Sequence, residues 1–207
     1  MTNAIKDYLT EHFSEIKQDI LNLVKVESPS KQIAELNKAR DVLKELMNKH
    51  FQDQFTLIEH VSEEYGTHLQ FELKDRTDKP RVLFLSHYDT VWQVGELPIE
   101  EKDNKLYGPG TFDMKAGLVS SIWAVSALMQ EDMPIEPVFL FTADEELGSP
   151  SSRPVIEDVA KTCDAVFVME APVANTHALK TERKGVGRYE IKAHGLRAHA
   201  GNHHEDG

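Results

Sequence analysis

Apolar positions recur at helical spacing over residues 4–25, at Ile5, Leu9, His12/Phe13, Ile16, Ile20 and Leu23/Val24, until the segment ESPS (27–30) stops the run. A second amphipathic helix follows, with Ile33, Leu36, Ala39, Leu43, Leu46 and Met47 on its inner face. FTLIEHV (55–61) and THLQFEL (67–73) then alternate as strands, and DRTDKP (75–80) is a polar turn. RVLFLSH (81–87) is a continuous apolar run, the pattern of a strand covered on both faces. MKAGLVSSIWAVSALMQ (114–130) reads as a helix in which Gly117 permits close approach to the sheet. PVFLFTA (137–143) is a second buried strand, SRPVIEDVAKTC (152–163) a helix with Pro154 in its first turn, and DAVFVME (164–170) a third strand. The alternation predicts an α/β fold: a doubly wound, mostly parallel sheet with helices on both faces.

The pattern changes after THALKTERKGVG (176–187). RYEIKAHG (188–195) alternates polar and apolar residues, as a half-exposed antiparallel strand of a different domain would, with Gly185 and Gly187 as the hinge. Residues 1–184 are therefore expected to form one domain and residues 185–207 the beginning of another. A chain of 207 residues can bury a real core. A net charge of −12 argues against a nucleic-acid partner, which would want a basic face. Cys163 stands alone, so neither an intramolecular disulfide nor a thiolate metal cluster is possible; it is expected to be a small buried residue. The N-terminus lacks a basic segment followed by an apolar block, and no apolar run approaches membrane-spanning length, so a cytoplasmic location is the default expectation.

Acidic and imidazole groups stand just past the apolar runs: His87 and Asp89, Asp113, Asp144-Glu145-Glu146, and Glu170. Taken singly, each has an ordinary reading. Asp89 could cap a loop histidine, Asp113 could cap the following helix, and the other carboxylates could be solvated turns or strand ends. Together they converge, because strand ends of an open α/β sheet face one crevice. Carboxylates crowded there raise one another's pKa unless cations are present. Hard oxygen donors with few imidazoles and no thiolate suit a two-metal site with a bridging carboxylate.

The ordered segments SHYDTVW, YGPGTFDMKAG, TADEELGSPSSR, MEAP and KGVGRYEIKAHGLRAHAG resemble a zinc-dependent metallopeptidase family. That family comprises glutamate carboxypeptidases, aminoacylases, acetylornithine deacetylase and succinyl-diaminopimelate desuccinylase. The likeness runs from about residue 80 onward and is strongest to the glutamate carboxypeptidase branch. It implies two zinc ions, with cobalt or manganese as possible substitutes, bridged by Asp113. His87 and Glu170 would bind one ion and Glu146 the other, with Asp89 orienting His87 and Glu145 serving as general base. His199 resembles a lid-domain histidine that reaches the neighbouring subunit of a homodimer. The implied reaction is amide cleavage by a carboxypeptidase acting on a small peptide. Deacylation of an N-acyl amino acid is the alternative, and a non-catalytic fragment is a third reading. Ala198 and His204 depart from the serine and proline frequent in the family's lid motif.

Family members also continue beyond this point to complete the sheet and to supply a last histidine ligand. The chain is therefore expected to be C-terminally truncated, one ligand short, and poorly soluble in isolation through an exposed sheet edge. His203 and His204 match lid positions and are not expected to replace the missing ligand. His12, His50, His60, His68, His177 and His194 have no metal-ligand spacing and read as surface or packing residues.

Overall fold

The computed structural model describes residues 2–131, 134–187, 189–192 and 194–206. Five strands form one mixed sheet in the order β1–β2–β6–β3–β7: β1 Phe55–Ser62, β2 Gly66–Leu73, β3 Arg81–His87, β6 Glu136–Thr142 and β7 Ala165–Val168. Two short strands, β4 Glu100–Lys102 and β5 Lys105–Tyr107, make a separate hairpin. β3 pairs in parallel with both β6 and β7, whereas β2 runs antiparallel to β1 and β6. In this register His87 stands beside Thr142 and Leu85 beside Val168. The carboxyl ends of β3, β6 and β7 therefore open on one edge, and the chain leaving each carries the acidic groups singled out above.

The alternation of side chains along a strand divides the core in two. Val82, Phe84, Phe139, Phe141, Leu69 and Phe71 face the helices α2 Phe13–Lys25, α3 Ile33–Phe51 and α4 Ala116–Met129. The intervening residues Leu83, Val138 and Leu140 face α5 Arg153–Ala160 through Val159, with Val155 and Ile156 packed alongside. α4 is apolar nearly all round and is correspondingly buried at Leu118, Val119, Ile122, Trp123, Val125 and Ala127. Each large apolar side chain buried this way contributes roughly 1.5–3 kcal/mol. The predicted α/β sandwich of helices on both sheet faces is the observed one. β7 is an edge strand whose Val166, Phe167 and Val168 are exposed, and Cys163 is half-buried rather than buried.

The first helix of the sequence reading is two helices. α1 spans Thr2–Glu11 and α2 begins at Phe13. At His12 between them, Nδ1–H donates to the Tyr8 carbonyl at 2.8 Å, which also accepts the His12 backbone N–H at 3.1 Å. Behind this break, Asp19 is buried and ties three elements together. It accepts from Lys49 Nζ at 2.8 Å and Trp123 Nε1 at 3.0 Å, with His50 Nε2 at 3.4 Å.

Burial holds His50 below its ordinary 6.5, with Lys49 acting in the same direction, against the opposing Asp19 and Glu15. The unfolded chain therefore binds the additional proton more readily, and this contribution to stability is present above pH 6.5 and lost as pH falls below it. His50→Gln is expected to flatten the fall of Tm between pH 7.5 and pH 5. An unchanged slope in thermal melts of the variant would remove His50 from the account.

The chain divides into two compact units, Met1–Ala171 and a second from Pro172 onward. In the second, the one regular element among the described residues is a single 3₁₀ turn at His204–Asp206. Of the expected strand over 188–195, Arg188 and Ala193 lie outside the described residues. Residues 189–192 form no strand: among the described residues no neighbouring strand offers them a ladder, and Tyr189 and Ile191 are almost fully exposed. Among the described residues no helix is long and apolar enough to cross a membrane.

Candidate metal centre

His87 ends β3 and is buried, its backbone N–H donating to Met114 Sδ at 3.2 Å. Its Nδ1 lies 3.1 Å from the Asp89 carbonyl oxygen, so Nδ1 carries a proton and Nε2 is the nitrogen that would offer its lone pair to a metal on giving up its own proton. Nε2 points to Asp113 Oδ1 at 3.2 Å and Glu145 Oε2 at 3.8 Å. The Asp89 carboxylate stands 3.4 Å from Nδ1, farther than its own main-chain oxygen.

That carboxylate has a second task, which the sequence did not reveal. Fully buried, it accepts the Glu145 N–H at 3.1 Å through Oδ1. Through Oδ2 it accepts the Glu146 N–H at 3.2 Å and the Ser30 hydroxyl at 2.8 Å. Ser30 belongs to the helix-stopping ESPS segment, which the pairing of Pro29 with Thr90 lays against the strand end.

Asp113 is carried by the loop before α4. Gly110 sits at φ +71°, and a Cβ there would lie 2.6 Å from Thr90, so the tight turn needs glycine. Asp113 makes no capping bond; the N-cap position of α4 is Lys115. Its side chain is 65% exposed and faces the crevice. Lys115, fully buried, donates from Nζ to the Val26 carbonyl at 3.0 Å. Burial pushes it down to about 7 against the pull of Glu27 and Asp89.

Glu145 and Glu146 lie on a 3₁₀ turn, Glu145–Leu147, that follows β6. The turn separates them. Carboxylate oxygens of Asp113 and Glu146 gather with a His87 nitrogen in one cluster, and those of Glu145 and Glu170 gather with it in another; within each, all lie within 4.8 Å of one another.

Electrostatics follow from this crowding. Burial raises Glu145, opposed by His87 and reinforced by Glu170, Asp89 and Asp113. Burial likewise raises Glu146, with His87 opposing and Asp113, Asp89 and Glu145 adding to the rise. Burial alone would lower His87, but its bond to Asp89 and the charges of Asp89, Glu145 and Asp113 lift it to about 9. A dication relieves this repulsion, and one imidazole with four carboxylates is a hard donor set that fits divalent metal. Beside Asp113 and Glu146 a cavity of about 470 Å³ is lined by Val91, Trp92, Leu97 and Phe112. His199 lies in the second unit, exposed, its Nδ1 accepting the N–H groups of Gly201 and Asn202 at 3.2 Å.

Residues 83–204 match the sequence profile of the peptidase family M20/M25/M40. The chain belongs to that family. The matched span contains His87, Asp89, Asp113, Glu145, Glu146, Glu170 and His199. The family is one of peptidases, and membership carries the use of divalent metal, generally zinc. Among relatives, carboxypeptidase G2 of Pseudomonas sp. (strain RS-16) is 32% identical over 142 residues, 66% of this chain and 34% of that protein. Succinyl-diaminopimelate desuccinylase of Sulfurovum sp. (strain NBC37-1) is 30% identical over 142 residues, 63% of this chain and 38% of that protein. Human carnosine dipeptidase 1 shares the fold, with a TM-score of 0.71 at 23% identity over 81% of this chain and 41% of that one. The M20-family chain described here thus spans little more than a third of the length of these two curated relatives.

Proposed function

We propose that this chain carries the metal-binding part of a di-zinc amide hydrolase, a carboxypeptidase that releases a C-terminal amino acid from a small peptide. The observation that carries the reading is the position of His87 between two carboxylate groups, Asp113 with Glu146 and Glu145 with Glu170. Asp113 would be the shared ligand, His87 and Glu170 would hold one zinc and Glu146 the other; cobalt or manganese could stand in. Bound zinc supplies polarisation of the scissile carbonyl and a lowered pKa for water. Glu145 accepts a proton from the attacking water as its oxygen bonds to the carbonyl carbon. The same proton passes to the leaving nitrogen as the C–N bond breaks, so the base is regenerated. Asp89 holds the His87 tautomer and, through two backbone bonds, the turn that presents the base. His199 would act in a homodimer at the partner's site.

A second reading, deacylation of an N-acyl amino acid, is favoured by the near-equal identity of the desuccinylase and the carboxypeptidase relatives. Titrating the metal-free chain with zinc and offering folyl-, peptidyl- and acetyl-amino acids tests both. Two equivalents of zinc and turnover of the peptidyl or folyl substrates are expected. Turnover confined to acetyl-amino acids would select the deacylase, and one weakly held zinc with no turnover would sink the hydrolase reading for this chain.

A further inference from the structure

We propose that His68, a strand residue remote in sequence from every acidic group of the centre, is a positioning residue for the turn that carries Glu145 and Glu146. His68 lies on β2 and is 1% exposed. Its Nδ1 receives the backbone N–H of Ala143 at 3.1 Å. A backbone N–H can only donate, so Nδ1 is unprotonated and Nε2 bears the hydrogen. Nε2 lies 2.9 Å from Ser151 Oγ, and the Ser151 hydroxyl donates in turn to Asp144 Oδ2 at 2.7 Å. The same carboxylate oxygen accepts the backbone N–H groups of Ser151 at 2.7 Å and Ser152 at 3.1 Å.

Every bond in this relay points the same way and ends on an anion, the arrangement in which successive hydrogen bonds polarise and strengthen one another. One imidazole thereby grips both ends of a loop: Ala143 just before the acidic triplet and Ser151 just after it. Between those ends the chain passes through Gly148 at φ +87° and Ser149 at φ +57°, a reversal that local propensity alone would not hold. On the opposite side, Asp89 accepts the amides of Glu145 and Glu146. The two glutamates are thus suspended between two fully buried carboxylates, Asp89 in front and Asp144 behind. Burial holds His68 below its ordinary value, with His60 acting the same way and Asp144 and Asp89 opposing, so the neutral tautomer the relay needs is the one present.

The structural part of this inference stands on the bonds; its consequence for turnover rests on the hydrolase reading above. The test is zinc affinity, measured by competition with a chromophoric chelator on the full chain. His68→Asn keeps an acceptor for Ala143 but is too short to reach Ser151, and Ser151→Ala breaks the relay at its middle. His68→Gln places an amide N–H near the Nε2 position and restores the donor. Asn and Ala variants are expected to weaken the zinc held through Glu146 by about tenfold, as loss of an outer partner of a ligand commonly does. Because both cut one relay, the double variant should bind no worse than either single, and His68→Gln, which restores the donor to Ser151 but not the acceptor for Ala143, should recover part of the loss.

Unchanged affinity in a folded Ser151→Ala chain, or losses that add in the double variant, would overturn the proposal. Should His68→Asn fail to fold, Ser151→Ala alone decides. Weakened zinc in the variants with no hydrolysis even by the parent keeps the positioning role and removes the hydrolase reading. A hydrolysing parent whose variants bind zinc normally does the reverse. A parent that binds no zinc overturns both.

Discussion

Replacing Glu145 by glutamine is expected to lower amide hydrolysis by about 10²–10⁴-fold while leaving zinc stoichiometry near that of the parent. Glutamine matches glutamate in size, and the N–H that Asp89 receives from residue 145 is main chain, so the turn keeps its anchor. What is lost is the ability to accept a proton. Glu145 is suited to that work because its side chain is about half-exposed, at the crevice mouth, and burial among acidic neighbours raises it above the ordinary carboxyl range. A carboxylate shifted in this direction takes a proton more readily than an ordinary one and can pass it to a leaving amine.

The same carboxylate stands within ligand distance of His87 and Glu170, so geometry alone would also let it bind metal. Glu146→Gln separates the two roles. It should cost zinc as well as turnover, because Glu146 shares the other cluster with Asp113. Metal content by atomic absorption beside kcat for both variants decides. A Glu145→Gln chain that loses zinc while Glu146→Gln keeps it would reverse the assignment.

That these side chains would share one crevice follows from sheet geometry, whereas their separate roles are what the family resemblance implies. β3 and β6 are continuous apolar runs because both of their faces are covered, and parallel strands put their carboxyl ends on one edge. Polar groups just past such strands meet at that edge, which is how His87, Glu145, Glu146 and Glu170 declared themselves; Asp113 reaches the crevice from the segment before α4. Asp89 was only half legible. Its neighbourhood to His87 follows from two residues of spacing, but its bonds to the Glu145 and Glu146 amides depend on the pairing of His87 with Thr142, which spacing does not specify.

His68 was not legible at all. Its partner Ser151 lies 83 positions away, and on an alternating strand an inward histidine looks like packing. The β4–β5 hairpin was missed as well, although Asp103 and Asn104, at φ +52° and +59°, are residue types that tolerate the left-handed turn. The division at His12 leaves the apolar period intact, so periodicity could not show it.

Gly117→Ala is expected to destabilise the fold and to loosen zinc together, although helix propensity alone predicts the opposite sign. In an exposed helix the change would stabilise by about 1 kcal/mol. Here a Cβ at residue 117 would lie 1.8 Å from the Met169 carbonyl oxygen and 3.0 Å from its carbon. Both are main-chain atoms, so no rotamer change relieves the clash. Nor is the Met169 segment free to retreat, because its N–H is bonded to the Leu85 carbonyl at 3.0 Å as a continuation of the β3–β7 ladder.

Something larger has to move: either the first turn of α4, which begins three residues after Asp113, or the strand end that leads into Glu170. Either displacement spoils one side of the centre, which is why stability and metal affinity should fall in step. Overpacking against a fixed neighbour costs about 1–3 kcal/mol, and a chain of this size loses about 2–4 °C of Tm per kcal/mol. Melting curves with and without zinc check the coupling. The zinc-dependent rise in Tm should shrink in the variant, and a variant melting above the parent with the full zinc response would mean that α4 does not meet β7 at Gly117.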